Sequence, residues 1–301
     1  MRLSTMGITV PDGSFWGPSG VFLRLFGHVP GAVTERFLFG YWPGSGLLQK
    51  ALQWFLGGPR LVRVHFTAGP IEGSDFDCWT AEQYFILGAR YERAVTSALQ
   101  TLVQREDVVY DVGAHAGFSA LVFARLAAEG HVYAFEPSPE TFQRLRGNVE
   151  CNAAAVTPVN AGAWKHEGRL RLTEKGSHSR IIDDAAEVDG PVSDIALLRL
   201  DDFAYRDGHR PATFVKIDVE GNAASCLAGA RELLRRSRPR VVIEIHHPVE
   251  ERDCLAILHE HGYHSHRLDA GGYPYHLAAH PATLASPAPA VAGARPSTDL
   301  R

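Results

Sequence analysis

Residues 108–117 and 214–221 constrain the fold more than any other part of the chain. The first stretch reads Val-Val-Tyr-Asp-Val-Gly-Ala-His-Ala-Gly and the second Phe-Val-Lys-Ile-Asp-Val-Glu-Gly. Each is a short apolar run that stops at acidic and glycine residues. A strand buried on both faces reads this way when it delivers polar groups to the carboxyl edge of a parallel sheet. Between them, residues 131–137 (His-Val-Tyr-Ala-Phe-Glu-Pro) repeat the pattern. Three such strand tips predict an α/β chain of Rossmann-like type, with a mostly parallel, doubly wound sheet. Ligands of such sheets bind beyond the carboxyl ends of the strands, where strand order reverses.

The alternation of elements supports this class. Strands are predicted at 108–112, 132–135, 156–161, 214–219 and 241–245. Helices are expected from near Gly117, from Ser138-Pro139-Glu140, over 223–236 and over 249–261. Ser138 is a cap, Pro139 suits the first turn, and Glu140 favours the positive helix end. Residues 168–173 read as an edge hairpin strand, and 195–200 as a short strand ending at Asp201-Asp202. Residues 174–192 read as a polar mobile loop, and 263–277 as a terminal hairpin. Upstream, Arg63 and His65 alternate with Val62, Val64 and Phe66, which predicts a strand over 61–66. A helix is expected over 46–56. Another is expected over 80–104, with Thr80 as cap, Gln83 at the capping-box position and an interruption at Gly88. The chain therefore divides into an N-terminal accessory region (1–78), a main domain (79–280) and an Ala/Pro-rich tail (281–301) expected to be disordered.

Bulk properties narrow the partners. The formal charge is −4 over 301 residues. No basic excess is present to hold a phosphate backbone, so no nucleic-acid partner is expected. Cys78, Cys151, Cys226 and Cys254 are scattered and form no Cys-x-x-Cys pair, which argues for free thiols in a reducing cytoplasm. No secretory leader or membrane span is read in the sequence. The aromatic-rich stretch 37–55 is expected to pack on the core or on a dimer mate, with contact to a membrane surface or a partner as the alternative.

Chemistry concentrates at the strand tips. In Asp111-x-Gly113-x-x-x-Gly117, Gly113 permits a tight turn and Gly117 a close approach to the following helix. A dinucleotide fingerprint needs a second glycine two positions after the first, to make room for a pyrophosphate. His115 stands there instead. Asp111 would repel a pyrophosphate but can accept a bond from an ammonium group. S-adenosylmethionine carries an ammonium and no phosphate. Glu136, about 25 residues on, can take both ribose hydroxyls, although an NAD enzyme would use the same device. Asn160 and Ala161 end the third strand, where an adenine edge would lie. Asn160 fits a plain surface cap nearly as well.

These segments together resemble the FkbM-type methyltransferase family. The likeness rests on Asp111-Val-Gly-Ala-His-Ala-Gly-Phe, Val132-Tyr-Ala-Phe-Glu-Pro-Ser-Pro, Asn160-Ala-Gly-Ala and Lys216-Ile-Asp-Val-Glu-Gly, in that order and spacing. Gly88-x-x-Tyr91-Glu92 is similar to the family's helix upstream of the first strand. The resemblance covers roughly residues 79–247. It implies S-adenosylmethionine-dependent methylation, typically of a hydroxyl on a sugar, polyketide or other metabolite. It also implies that Glu92 and Asp111 face the methionine end of the cofactor, and that Pro137 belongs to the cofactor site. Two positions depart from the family pattern. His115 replaces its usual Asn, and Asn222-Ala223 stand where a Glu usually follows the last glycine.

Methyl transfer needs a nucleophile held in line and a route for its proton. Asp218 and Glu220 flank Val219, so alternation points both to one face. Lys216 shares that phase and is expected to orient a carboxylate. Glu244 and His246 share a face of the next strand, and His246 or His247 is the candidate general base. Asp218 is favoured as the contact to an acceptor hydroxyl. The alternative is a purely structural salt-bridge cluster. His259, His261, His264 and His266 straddle a turn and suit a solvated helix end. Asp201-Asp202 and Asp183-Asp184 suit loop solvation, and no metal is assigned. Two other functions compete: an NAD-linked oxidoreductase on a related fold, and a protein that binds the cofactor without catalysis.

Overall fold

In the computed structural model the described residues are 2–3, 8–9, 61–79, 93–173, 181–182, 192–269 and 272–282. The chain begins with strands β1 (Arg2–Leu3), β2 (Ile8–Thr9), β3 (Leu61–Phe66) and β4 (Asp75–Trp79). They form an antiparallel sheet in the order β1-β2-β3-β4. Then come α1 (Arg93–Leu102), β5 (Val108–Val112), α2 (Phe118–Leu126), β6 (His131–Phe135), α3 (Pro139–Cys151) and β7 (Val156–Val159). The next elements are β8 (Gly162–Ala163), β9 (Gly168–Thr173), β10 (Ile181–Ile182), β11 (Val192–Leu198) and α4 (Leu200–Tyr205). The chain continues with β12 (Phe214–Ile217), α5 (Ala223–Ala228), α6 (Arg231–Arg236), β13 (Arg240–Ile245) and α7 (Pro248–Glu260). It closes with β14 (Tyr263–Arg267) and β15 (Tyr275–Pro281). None of the described helices is long and apolar enough to cross a membrane.

The central sheet has seven strands in the order β14-β15-β13-β12-β5-β6-β7. Neighbours from β7 through β13 run parallel, and β15 runs antiparallel to both β13 and β14. This is a Rossmann-like α/β architecture. From β5 the chain moves outward through β6 to β7, then recrosses to place β12 on the other side of β5. The crevice between the β5 and β12 tips is therefore the switch point, where such sheets bind ligands. Every residue of β5 and β12 is buried. That explains their unbroken apolar reading, because helices cover both faces. On one face the Tyr110 ring lies 5.5 Å from each of Tyr133, Phe135 and Phe203. The other face packs Val109, Phe123, Phe214 and Val242. Pro158 sits in β7, the edge strand, where a missing N–H costs no ladder bond.

Several sequence expectations change in the structure. Residues 160–163 leave the central sheet, and β8 joins a second sheet of order β10-β9-β11-β8. Leu200 opens α4 instead of ending a strand, and Asp201 and Asp202 lie in that helix's first turn. Asp201 accepts the Leu233 N–H at 2.8 Å and pairs with Arg199, so it fixes α4 against α6. The helix expected over 223–236 is two short ones. Strand β4 was not expected, although it alternates buried Phe76 and Cys78 with half-buried Asp75 and Asp77. It is held by α3: Asn148 accepts the Asp77 N–H at 2.7 Å, and Asn152 accepts the Asp75 N–H at 2.9 Å. The first sheet is thus docked on the main domain. The helix expected over 46–56, residues 80–92 with Glu92, Asp183-Asp184 and the tail after residue 282 lie outside the described residues.

Candidate active site

The β5–α2 turn is shaped by contact with the β12 tip. Gly113 has φ 79°, and a Cβ there would lie 1.7 Å from the Asp218 carbonyl oxygen. A side chain would push the two strand tips apart. Gly117 has φ 94°, and its Cβ would meet Leu145 Cδ1 at 2.7 Å. Gly117 is required first by its left-handed backbone, and the turn also packs on α3 there. Asn148 of α3 also donates to the Ala116 carbonyl at 2.9 Å, tying the turn to the same helix that holds β4.

Glu136 is the most tightly specified side chain here. It is 7% exposed. Its two oxygens accept the His115 N–H at 3.0 Å and the Ser138 N–H at 2.9 Å. Burial pushes its carboxyl up to about 7, against the pull of those N–H groups and the Arg144 guanidinium. Each oxygen keeps a further lone pair, and hydroxyl donors there would favour the ionised form. The His115 N–H, which a diphosphate would require, is committed to this carboxylate. Burial, with Arg144 second, lowers the His115 imidazole to about 4, so it is neutral near pH 7. Asn160 donates to the Glu136 and Pro137 carbonyls at 2.9 and 3.2 Å, which locks the ends of β6 and β7 together. That is the cap reading of Asn160. Ala161 is buried beside it.

Asp111 is fully buried. Its carboxylate accepts the Ser119 hydroxyl at 2.7 Å and lies 3.8 Å from Lys216 Nζ. In this arrangement it positions the first turn of α2 and Lys216. The β5–β12 register sets Asp111 opposite Lys216 and so explains the contact.

The other half of the site lies at the tips of β12 and β13. Lys216, almost fully buried, donates to Asp218 at 3.1 Å. Burial opposes ionisation of Asp218, but the Lys216 ammonium holds its carboxyl below the usual range. Glu220 adopts φ 50° at the turn. Its carboxylate lies 3.4 Å from His246 Nε2, with Glu244 at 4.0 Å. Glu250 lies behind the imidazole, 3.6 Å from Nδ1. It also accepts the N–H of His246 and of Ala223, each at 2.8 Å. Burial disfavours the imidazolium, yet Glu250, Glu220 and Asp218 raise His246 above its ordinary value. Asp218, Glu244 and His246 offer ligand atoms all within 4.8 Å of one another.

The structure brings Lys216, Asp218, Glu220 and His246 together, but not by the alternation expected over 214–219: β12 ends at Ile217, and the turn with Glu220 at φ 50° places its carboxylate. His247 instead caps α7, accepting the Glu250 N–H at 3.2 Å. Among the described residues, His259, His261, His264 and His266 do not converge on one point. Sequence reasoning missed Glu250. Its signal was its place in the first turn of a helix directly after the Glu244-Ile-His246 strand end.

Comparison with known proteins agrees with this geometry. Residues 111–265 match the methyltransferase FkbM domain, just over half of the chain. Hexuronic acid methyltransferase AglP of Haloferax volcanii is 28% identical over 184 residues, covering 60% of this chain and 72% of that protein. The 2-O-methyltransferase NoeI of Sinorhizobium fredii is 26% identical over 158 residues, covering 46% of this chain and 63% of that protein. The crystal structure of methyltransferase FkbM from Methylobacillus flagellatus superposes with TM-score 0.44 at 20% identity, covering 59% of this chain and 44% of that one. A superposition that loose bears on neither fold nor function. The matched domain spans every strand tip described above, so the chain belongs to the FkbM methyltransferase family, with S-adenosylmethionine as its cofactor.

Proposed function

We propose that the protein methylates a hydroxyl oxygen of a small glycosyl-type acceptor, with the acceptor seated at the tips of β12 and β13. The observation that carries this reading is the convergence of Asp218, Glu220 and His246 beside the switch point. It puts an ionised carboxylate and an imidazole within reach of one group. S-adenosylmethionine, when bound, supplies an electrophilic methyl carbon on a sulfonium. Glu136 would take the ribose hydroxyls, with His115, Pro137, Asn160 and Ala161 framing the nucleoside. Asp111 and Gly113 would fix the turn under the methionine end, where Glu92 is also expected to contribute.

Asp218 accepts the acceptor's O–H as a hydrogen bond and orients a lone pair toward the methyl. The proton leaves along this hydrogen bond to Asp218 and passes on to His246, made more basic by the carboxylates around it, as the new C–O bond forms and the C–S bond breaks. Lys216 keeps Asp218 ionised and stationary. Glu250 takes the hydrogen-bonding place beside Ala223 N–H, and so supports the turn in which the family's usual Glu is missing. The two curated relatives point to the acceptor class: one is named for hexuronic acid and the other for 2-O-methylation.

The test is transfer of a labelled methyl group to a panel of uronic acids, neutral glycosides and aliphatic alcohols, with amines as controls. Alkali-stable label in an ether linkage on a glycosyl acceptor is expected. Label on amines alone, or no transfer by protein that binds S-adenosylhomocysteine, would overturn the proposal.

A further inference from the structure

The acceptor half of the site has an imbalance that methyl transfer alone does not explain. Asp218, Glu220, Glu244 and Glu250 all lie around His246, and Lys216 is bonded to Asp218. A cleft rich in carboxylates disfavours the approach of an acceptor that is itself anionic, and like charges this close resist simultaneous ionisation. Two of these carboxylates and the imidazole nevertheless present their ligand atoms to a common point, all within 4.8 Å of one another.

From this geometry we infer that Asp218, Glu244 and His246 bind a divalent cation, which holds the acceptor's oxygens beside the methyl-transfer position. The donor set is mixed, two oxygens and one nitrogen, which suits Mn2+ or Zn2+ better than Ca2+. Three protein ligands leave coordination positions open for a substrate. The imidazole also has the support that metal-bound histidines usually have. Glu250 lies 3.6 Å behind Nδ1 and is itself anchored by two backbone N–H groups, which leaves Nε2 on the side of Glu220 and Glu244. A carboxylate behind the ring fixes its orientation and raises its strength as a ligand. Lys216 donates to one oxygen of Asp218, and Glu244 shares a hydrogen bond with the same carboxyl, a contact that a cation between the two would replace. Glu244 lies in β13, and Asp218 and His246 are the first residues beyond the adjacent β12 and β13, so the sheet places all three. A cation there would take over the role given to His246 above: with Nε2 on the metal, the acceptor hydroxyl, its pKa lowered by the cation, would lose its proton to Glu220, and the cation would bridge a neighbouring acceptor carboxylate to the protein.

This inference rests on the acceptor-site reading above, so its test is separated from cofactor binding. Mn2+ is titrated into the full-length protein, purified with chelator and dialysed free of it, and free Mn2+ is followed by its paramagnetic resonance signal. S-adenosylhomocysteine affinity is measured on the same samples. We expect one Mn2+ per chain, bound at least tenfold more weakly in Glu244→Gln and in His246→Asn. We expect about tenfold weaker binding in Glu250→Gln. S-adenosylhomocysteine affinity should stay within threefold of the parent in all three, which also shows that they fold. Absence of a Mn2+ site in protein that binds S-adenosylhomocysteine overturns the inference and leaves the methyltransferase reading intact. Mn2+ binding unaffected by Glu244→Gln and His246→Asn overturns the assignment of the ligands. Folded protein that binds neither probe overturns both readings.

Discussion

The two halves of the carboxyl edge solve different problems. On the β5–β6 side the main polar groups are bonded close to their own strand tips. Glu136 is bonded to two backbone N–H groups, Asp111 to Ser119, and Asn160 to two carbonyls. On the β12–β13 side the side chains face one another across the strand tips, and charge is crowded around one imidazole. On the proposed reading the first half is a mould for one invariant ligand. The second half is an electrostatic device whose state depends on what enters it. A cofactor that is always the same can be met by fixed backbone donors. A reacting hydroxyl must be met by groups that change protonation.

If the halves are separable, a change at the acceptor side should damage turnover and spare cofactor affinity. The largest effect is expected for Asp218→Asn, which removes the oriented acceptor of the substrate hydroxyl. The maximal rate of methyl transfer should fall about 10³-fold, while S-adenosylhomocysteine affinity changes less than fivefold by calorimetry. A comparable loss of affinity would merge the two halves. Glu136→Gln should give the opposite pattern. Loss of a charge-assisted contact to the ribose should weaken S-adenosylhomocysteine about 100-fold, and rates at saturating cofactor should stay within tenfold.

The pH dependence sharpens the comparison. Glu136 has its carboxyl near 7 because of burial. Binding that favours the ionised form must expel a proton below that pH. S-adenosylhomocysteine affinity should therefore fall about 20-fold between pH 7.5 and 5.5, and Glu136→Gln should flatten the profile. His115, near 4, does not titrate in this window. The smallest effect is expected for Glu250→Gln. Removing one carboxylate from His246 lowers the imidazole's basicity, so the acid limb of the rate profile should move to lower pH. The maximal rate should remain within tenfold. An unmoved limb would separate Glu250 from His246.

The same contrast explains what could be read in the sequence. The cofactor half is local. Asp111, Gly113, Gly117 and Glu136 sit where an apolar run meets a turn, and each run announces its own tip. The pairing of Asp218 with Lys216 was expected, although β12 ends at Ile217. The approach of Glu244 and His246 to Asp218 was not, because it depends on β13 lying beside β12. Glu250 belongs to a helix whose polar positions look like solvated surface until the turn at Ala223 folds over it. Strand β4 is stabilised by Asn148 and Asn152 from α3, a contact 71 residues away in one case. No pattern within β4 encodes that. The buried orientation of Asp111 came from register with Lys216, a property of two strands together.

The central claim is that these strand tips grip a nucleoside without a diphosphate. Calorimetry of the full chain with S-adenosylhomocysteine and, separately, with NAD+ tests it most directly. Saturable binding of S-adenosylhomocysteine at one site per chain, lost in Glu136→Ala, and no heat with NAD+ is the predicted result. Binding of NAD+ in preference, or S-adenosylhomocysteine affinity unchanged by Glu136→Ala, would contradict the account.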